Sequence, residues 1–223
     1  MPRDAASPAL SLRRAAKFYG HKLVFRDVDC DLAPGEVLLV VGGNGAGKST
    51  LLRVMAGLTR LSAGELAVRV PPEKSAYLGH ATFLYPRLSA LGNLAFWARM
   101  YGRPRGREAL LGLLDRVGLG GVAEERAGSF SRGMAQRLNL ARIFLVEPAL
   151  VFLDEPGTGL DVASQALLRQ EISALRARGA AVVWVSHQIE QDAALADRVL
   201  SLAFGRAAYL GPAAGFRAEG CPC

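Results

Sequence analysis

The sequence predicts an α/β protein built on a mostly parallel sheet, with a helical subdomain inserted into it. Short apolar segments of strand length alternate with helical segments towards both ends of the chain, and a glycine-rich stretch, GGNGAGKST, joins one such strand to a helix. The middle of the chain is helical in pattern. We therefore expect a single domain over residues 1–223, with an α/β core at about 10–83 and 147–212, the helical subdomain at about 84–146 and a tail at 213–223.

The first part of the core combines short strands with one helix. Residues 24–32 alternate between apolar and polar side chains, as a half-buried strand does. A turn at Pro34 and Gly35 leads into an apolar strand at 37–41, which enters the glycine-rich stretch. A helix is predicted to follow over 48–58.

The helical subdomain carries apolar residues three and four positions apart, with glycine-rich breaks between its segments. Its predicted helices are 90–101, 107–117 and 131–146. Beyond Pro148 strands and helices alternate again, which predicts a return to the parallel sheet. The expected strands there are 150–153, 180–185 and 199–203, with a helix through 167–178.

Composition narrows the classes of function. Hydrophobic residues make up 51% of the chain and charged residues 21%, which is typical of globular proteins. No apolar run approaches the roughly 18 residues of a membrane span, and the first residues lack the apolar core of a signal peptide, so we expect a cytoplasmic protein. The net charge of +7 comes mainly from scattered arginines rather than from a like-charged block, so no nucleic-acid partner is expected. A basic surface that binds nucleic acid or anionic lipid is the alternative.

The three cysteines do not form a disulfide framework. Cys30 lies in the alternating segment and is predicted to be a buried strand residue. Cys221 and Cys223 are expected to belong to a frayed tail, and a metal-binding or lipid-anchoring pair is the alternative.

The glycine-rich stretch matches the phosphate-binding loop, G-x4-G-K-[ST], in its required context between a buried strand and a helix. Glycines let successive backbone N–H groups point inward, and the helix N-terminus adds positive potential where phosphate oxygens would lie. We predict a nucleoside triphosphate here, with Lys48 reaching the β- and γ-phosphates and Ser49 ligating Mg²⁺. The predicted binding residues of the loop are Gly42, Gly43, Asn44, Gly45, Ala46, Gly47, Lys48, Ser49 and Thr50.

A second motif, LVFLDEP at residues 150–156, places two carboxylates at the end of a strand. Open α/β sheets bind ligands at the carboxyl ends of their strands, so Asp154 is predicted to hold Mg²⁺, directly or through water. Glu155 points elsewhere and is the candidate general base that aligns the attacking water.

A third motif, SFSRGMAQRLNLARIFL at residues 129–145, completes a family pattern. Together with the phosphate loop, LDEPGTGLD and VSHQ, it resembles the ATP-binding cassette (ABC) ATPases, over nearly the whole chain from Tyr19 to His187 and in the family's order of motifs. The resemblance implies a phosphate-loop NTPase of ABC type, with an added antiparallel β subdomain, that binds ATP and Mg²⁺.

The resemblance also implies roles for individual residues. Ser131 and Gly133 would contact the γ-phosphate held by a second ATPase subunit, so that ATP is sandwiched in a head-to-tail dimer; Ser131 is also a good helix N-cap. Asp161 resembles a residue of the loop that crosses this interface. His187 resembles the histidine that contacts the γ-phosphate, and Tyr19 the aromatic residue that stacks on adenine.

Two positions depart from the family pattern. His80 stands where the family has a glutamine that touches Mg²⁺ and the attacking water and links the nucleotide site to the transporter partner. Histidine can both donate and accept hydrogen bonds, so we expect His80 to keep a catalytic role, with a pH dependence that glutamine lacks. Gly92 replaces the glutamate that would complete a capping box with Ser89, which predicts a less stable helix start.

These motifs predict the ATPase subunit of a transporter, peripheral to the inner face of the cell membrane. It would act as a homodimer and drive separate integral membrane subunits. One alternative is a family member that acts on ribosomes or DNA, which the single cassette and the short gap between the phosphate loop and Ser131 disfavour. Another is a nucleotide-binding module without turnover, which the presence of Glu155 and His187 disfavours.

Direction and cargo depend on looser similarities. The chain ends soon after Phe216, without the C-terminal domain of many sugar and metal importers and without the long tail of many drug-exporter ATPases. Stretches such as LYPRLSALGNLAFWARMYG are most similar to the haem-exporter ATPase subunits (CcmA type) of cytochrome c maturation, and an exporter of drugs, lipids or polysaccharides is the alternative. An aromatic cluster after His80 either forms a groove for a membrane partner or packs within the helical subdomain; its residues are Phe83, Tyr85, Phe96 and Trp97.

Overall fold

The computed structural model describes residues 7–79 and 81–217, which form nine strands and six α-helices. The strands are β1 Leu10–Tyr19, β2 Lys22–Leu32, β3 Val37–Gly42, β4 Ala63–Val68, β5 Ser75–Leu78, β6 Leu150–Asp154, β7 Ala181–Val185, β8 Arg198–Ala203 and β9 Arg206–Pro212. The helices are α1 Lys48–Met55, α2 Ala90–Met100, α3 Arg107–Arg116, α4 Arg132–Phe144, α5 Val162–Ala177 and α6 Ile189–Asp192.

The strands form two sheets. Six lie in the order β5-β6-β7-β3-β8-β9 and run parallel, except for the antiparallel edge strand β9. The other three form an antiparallel sheet in the order β2-β1-β4. Helices connect the parallel strands, as parallel pairing requires. The predicted α/β class, with an antiparallel β subdomain, agrees with this architecture.

The large sheet is buried on both faces. In β3, Val37, Leu39 and Val41 belong to one hydrophobic cluster, while Leu38 and Val40 belong to another, because successive side chains of a strand point to opposite faces. Buried residues of helices α2 to α5 complete the first cluster. Those of α1 and of the antiparallel sheet complete the second, so α1 lies between the two sheets.

The middle of the chain folds as three helices, α2, α3 and α4, packed around leucines such as Leu94, Leu114 and Leu138. Ser89 caps α2 by accepting a hydrogen bond from the Gly92 backbone N–H at 2.9 Å, so one half of the capping box forms without the other. The boundaries of this subdomain at residues 84 and 146 stay a prediction.

Several predicted element bounds were wrong. The first helix ends at Met55 rather than at residue 58, because Gly57 adopts a left-handed conformation with φ of 71°. Helix α5 begins at Val162, five residues before the predicted start, because Asp161 caps it. Strand β9 at the sheet edge was missed. Cys30 is buried in β2 as predicted, whereas Cys221 and Cys223 lie outside the described residues.

Candidate active site

The phosphate-binding loop connects β3 to α1, and the packing around it accepts only glycine at two positions. Gly42 has φ of 147°, and a Cβ atom there would lie 2.4 Å from the Leu202 carbonyl oxygen. Gly47 has φ of 98°, and its Cβ atom would lie 2.8 Å from a methyl group of Val24. The first turn of α1 has neither a side-chain cap nor an acidic residue, so its backbone N–H groups suit an anion.

The side chain of Lys48 folds back onto this loop and contacts its first two residues. Its Nζ atom donates hydrogen bonds to the carbonyl oxygens of Gly42 at 2.8 Å and Gly43 at 3.0 Å, and the residue is only 5% exposed. A cation is therefore fixed at the mouth of the loop, where phosphate oxygens of a bound nucleotide would lie.

A buried carboxylate lies opposite the start of α1. Asp154, at the end of β6, is 1% exposed and accepts hydrogen bonds from the Ser49 hydroxyl at 2.8 Å and the Tyr77 hydroxyl at 3.1 Å. Burial, followed by the charge of Asp154, raises the pKa of Tyr77 to about 12. The Tyr77 hydroxyl beside Arg53, which lies on α1, raises the pKa of that guanidinium group.

The Ser49 and Asp154 oxygens fit Mg²⁺, which prefers oxygen ligands and usually retains water and phosphate oxygens. Residues 7–79 and 81–217 contain no group of three or more His, Cys, Asp or Glu side chains arranged to hold a metal. Ser49 and Asp154 would hold a Mg²⁺ ion at this site together with phosphate oxygens of the nucleotide.

Glu155 points away from Asp154 because the backbone turns sharply between them. Glu155 adopts φ of 51°, a left-handed conformation that costs a non-glycine residue about 1–3 kcal/mol, and its N–H donates to the Val185 carbonyl at 3.0 Å. The turn brings its Oε1 atom to 2.7 Å from His187 Nε2. The two adjacent carboxylates therefore have different partners. Asp154 contacts Ser49 at the start of α1, and Glu155 contacts His187, which follows β7.

A cavity of about 340 Å³ contains much of the predicted site. Its lining residues are Tyr19, Lys22, Leu23, Val24, Asn44, Gly45, Gly47, Lys48, Ser49, Thr50 and Glu155. The Lys17 ammonium lies 4.7 Å from the centre of the Tyr19 ring, and Tyr19 is 54% exposed. The ring therefore has exposed surface on which a flat base could stack.

The start of α4, which carries Ser131 and Gly133, lies next to the loop that contains Leu160 rather than next to the phosphate loop. Ser131 caps α4 by accepting from the Met134 N–H at 3.2 Å, and Gly133 lies beside Leu160. Asp161 caps α5 by accepting from the Ser164 N–H at 2.7 Å, and this bond holds the pKa of Asp161 below its usual value.

The structure therefore gathers the predicted residues into two groups. Tyr19, the phosphate loop, Asp154, Glu155 and His187 surround or adjoin the carboxyl ends of β3, β6 and β7. Ser131, Gly133 and Asp161 do not line the cavity of the phosphate loop. His80 lies outside the described residues.

Sequence reasoning missed Tyr77 and Val24. The contact of Tyr77 with Asp154 depends on how β5 and β6 pair, which no local pattern indicates. Val24 belongs to the antiparallel sheet and reaches the loop only through the packing of the two sheets.

Comparison with known proteins places this geometry in a family. The profile described as "ABC transporter" matches residues 25–158. The aliphatic sulfonates import ATP-binding protein SsuB 2 of Burkholderia lata is 40% identical over 210 residues, covering 90% of this chain and 75% of that protein. The cytochrome c biogenesis ATP-binding export protein CcmA 2 of Cupriavidus metallidurans is 40% identical over 192 residues, covering 82% and 91% respectively. A solved ATP-binding subunit of an ABC transporter has a TM-score of 0.83 at 26% identity, covering 92% of this chain and 90% of that one.

The fold and the site thus define a phosphate-loop ATPase of the transporter class. The chain belongs to the ABC transporter family, and it is an ATP-binding subunit that uses ATP with Mg²⁺ and couples hydrolysis to transport. In the described part of the chain, no helix is long and apolar enough to cross a membrane.

Proposed function

We propose that this chain is the ATP-hydrolysing subunit of an ABC exporter, at the inner face of the cell membrane and attached to separate integral membrane subunits. It works as a head-to-tail homodimer that closes on MgATP. The observation that supports its catalytic role best is the Glu155–His187 pair, at 2.7 Å, beside the buried Asp154.

The residues divide the chemistry between them. Lys48 and the backbone N–H groups of the phosphate loop bind the β- and γ-phosphates, and Ser49 and Asp154 hold Mg²⁺. When bound, Mg²⁺ would neutralise charge that develops on the phosphate oxygens. Glu155 orients a water molecule and accepts its proton as the water oxygen attacks the γ-phosphorus; the bond from that phosphorus to the β–γ bridging oxygen breaks, which yields ADP and phosphate.

In this proposal His187 fixes the general base and reaches the γ-phosphate. A carboxylate oxygen only accepts hydrogen bonds, so the contact with Glu155 directs the Nε2–H of His187 at that carboxylate. Tyr19 stacks on adenine, and the assigned catalytic set is Glu155, His187, Lys48 and His80.

The dimer follows from the second group of residues. Ser131 and Gly133 pack next to the loop that leads into Asp161 and do not line the cavity of the phosphate loop. This supports the proposal that they bind ATP held by a second copy of the chain. Asp161 then lies in the loop that crosses between the two copies.

The aromatic cluster supports a membrane partner. Phe96 lies 4.4 Å from Tyr85 and 5.5 Å from Trp97, measured between ring centres, and Phe96 and Trp97 are half-buried. Phe83 is 56% exposed and Tyr85 44% exposed. We propose that Phe96 and Trp97 pack within the subdomain, while Phe83 and Tyr85 contact a membrane subunit.

Haem export for cytochrome c biogenesis is the cargo proposal. Its support is the similarity to the cytochrome c biogenesis export protein, of which the chain covers 91%. An exporter of drugs, lipids or polysaccharides is the alternative within the same direction. Import is the second candidate direction, because the aliphatic sulfonates import protein is equally identical at 40%.

A co-purification experiment tests the transporter and its direction. Glu155→Gln protein is expressed with its native membranes, held with MgATP, extracted gently, and its partners are identified by mass spectrometry. Small membrane subunits together with cytochrome c maturation proteins are the expected result. A permease with a substrate-binding protein would support import, and recovery of only ribosomal or DNA-bound proteins would contradict the transporter proposal.

A further inference from the structure

Among residues 7–79 and 81–217, the hydroxyl of Tyr77 makes one of the two side-chain hydrogen bonds to the Asp154 carboxylate. It contacts Oδ2 at 3.1 Å, while the Ser49 hydroxyl contacts Oδ1 at 2.8 Å. Asp154 is 1% exposed, so water has little access to either oxygen. The Oδ2 edge is therefore held by Tyr77 and the Oδ1 edge faces the phosphate loop.

The chemistry of the two groups fixes the direction of this hydrogen bond. An ionised carboxylate only accepts hydrogen bonds, so the phenol O–H of Tyr77 is the donor and Asp154 is the acceptor.

The backbone sets the geometry of the contact. Tyr77 pairs with Phe152 in the parallel register of β5 and β6, and Asp154 lies two residues beyond Phe152. Residues two apart on a strand point to the same face, so Tyr77 and Asp154 emerge on one side of the sheet. Ser49 reaches the other carboxylate oxygen from α1, and three packed elements therefore define the position of the carboxylate.

We propose that Tyr77 is a positioning residue for Mg²⁺, which holds the Asp154 carboxylate so that Oδ1 is directed towards Ser49 and the phosphate loop. The proposal rests on the assignment of Ser49 and Asp154 as the Mg²⁺ site. Tyr77 does not line the cavity of the phosphate loop. Its contribution is that the carboxylate need not be reoriented when the ion binds.

Replacement of Tyr77 by phenylalanine removes the hydroxyl and keeps the ring. Partners that orient metal ligands typically change metal affinity about 10–100-fold when they are lost. We define the Mg²⁺ factor as the affinity for a non-hydrolysable ATP analogue with Mg²⁺ divided by the affinity in EDTA. We expect this factor to be about tenfold smaller in Tyr77→Phe than in the wild type. Binding of the same analogue in EDTA is expected to stay within about twofold of the wild type, since the phosphate loop is unaltered.

Calorimetry with and without Mg²⁺ measures this factor. The matched control is Tyr209→Phe, which removes a hydroxyl that donates to the Pro212 carbonyl at 2.8 Å on the edge strand β9. The ATPase rate of Tyr77→Phe is also expected to need about tenfold more Mg²⁺ for half-saturation, with kcat at saturating Mg²⁺ within about twofold.

Two results would overturn the proposal. One is a Mg²⁺ factor for Tyr77→Phe equal to that of Tyr209→Phe; the other is an equal loss of binding in EDTA and in Mg²⁺, which indicates a general packing role. If wild-type protein binds the analogue no better with Mg²⁺ than without it, the Mg²⁺ site itself is wrong, and the role of Tyr77 falls with it.

A second variant covers the case in which Tyr77→Phe does not fold. Tyr77 is half-buried, so Tyr77→Leu, which also removes the hydroxyl, is expected to fold. We expect it to reduce the same Mg²⁺ factor about tenfold, as Tyr77→Phe does. An unchanged factor in this variant contradicts the proposal.

Discussion

His187 Nε2 lies 2.7 Å from Glu155 Oε1, and this contact joins the end of β6 to the loop after β7. The Glu155 side chain is 18% exposed and that of His187 46%, so the pair lies at the surface of the site with the carboxylate on its inner side. The contact orients the carboxylate before a nucleotide arrives. It also makes the geometry of the proposed general base dependent on a histidine 32 residues away in the sequence.

Loss of His187 is therefore expected to affect turnover more than binding. We expect His187→Ala to lower kcat by at least about a hundredfold, because Glu155 loses the side chain that orients it. The dissociation constant for ATP in EDTA is expected to change less than about threefold, since Lys48 and the loop bind the phosphates. Steady-state kinetics and equilibrium binding measure the two effects.

Glu190→Ala is the control, because Glu190 is exposed on the short helix α6 next to His187. It is expected to keep wild-type kcat. A His187→Ala protein with unimpaired kcat would show that the pair seen in the structure does not orient the base.

Two serine caps separate a structural role from a functional one. Ser131 accepts from the Met134 N–H at the start of α4, and Ser89 accepts from the Gly92 N–H at the start of α2. Replacing either by alanine is expected to reduce the free energy of unfolding by about 1 kcal/mol. Only Ser131→Ala is expected to lose ATPase activity, because only Ser131 is assigned to the nucleotide of a second subunit.

Denaturant unfolding and ATPase assays on both variants test this. We expect Ser131→Ala and Ser89→Ala to lose about the same stability, and only Ser131→Ala to lose ATPase activity. Comparable activity in the two variants would mean that Ser131 acts only as a cap.

Cys30 predicts the behaviour of the protein at alkaline pH. Burial in β2 raises the pKa of its thiol to about 12, above the value of about 8.5 for an unfolded chain. A raised pKa in the folded state contributes stability that is complete below about pH 8.5 and is lost as the pH rises towards 12. Burial raises the pKa of Tyr77 in the same direction, so the free energy of unfolding is expected to fall over this range.

Cys30→Ala is expected to make this fall less steep, because one of the two groups is gone. Urea unfolding at a series of pH values from about 8 to 11 measures the slope. An identical slope in wild type and variant would contradict the assignment to Cys30. Cys221→Ser and Cys223→Ser are introduced into both proteins so that the terminal thiols do not titrate.

The replacement of the family glutamine by His80 leads to a separate prediction. We expect His80→Gln to retain ATPase activity, because the glutamine side chain can also donate and accept hydrogen bonds. The variant is expected to lose any component of the pH–rate profile near pH 6.5, the usual pKa of histidine. The pH–rate profiles of the two proteins are compared from about pH 5.5 to 8.5. A collapse of turnover in His80→Gln would refute the prediction that glutamine can replace His80.

Local pattern was sufficient to predict the class of the fold and the phosphate loop. The apolar run of β3 and the fixed spacing of Gly42, Gly47 and Lys48 are properties of neighbouring residues. Contacts between distant strands were not predictable in this way. Tyr77 meets Asp154 because β5 and β6 pair in one particular register, and nothing near Tyr77 in the sequence encodes that register.

Element ends show the same limit. Gly57 was correctly expected to end the helix at 48–58, but the helix stops at Met55, because the turn that ends in the left-handed Gly57 already begins there. The start of α5 was missed because Asp161 was interpreted only as a residue of the dimer interface. In the structure it also caps a helix, and local capping chemistry could have identified that role.

The most direct test of the proposed catalytic site is the mass of Glu155→Gln protein in solution with and without MgATP, measured by light scattering. Glutamine keeps the shape of the side chain but cannot accept the proton of the attacking water, so ATP stays bound between two chains. We expect the 23.7 kDa chain to double in mass with MgATP and to remain single in EDTA, while wild-type protein returns to a single chain as ATP is consumed. A Glu155→Gln protein that hydrolyses ATP as fast as wild type and stays single with MgATP would contradict both the general base and the dimer.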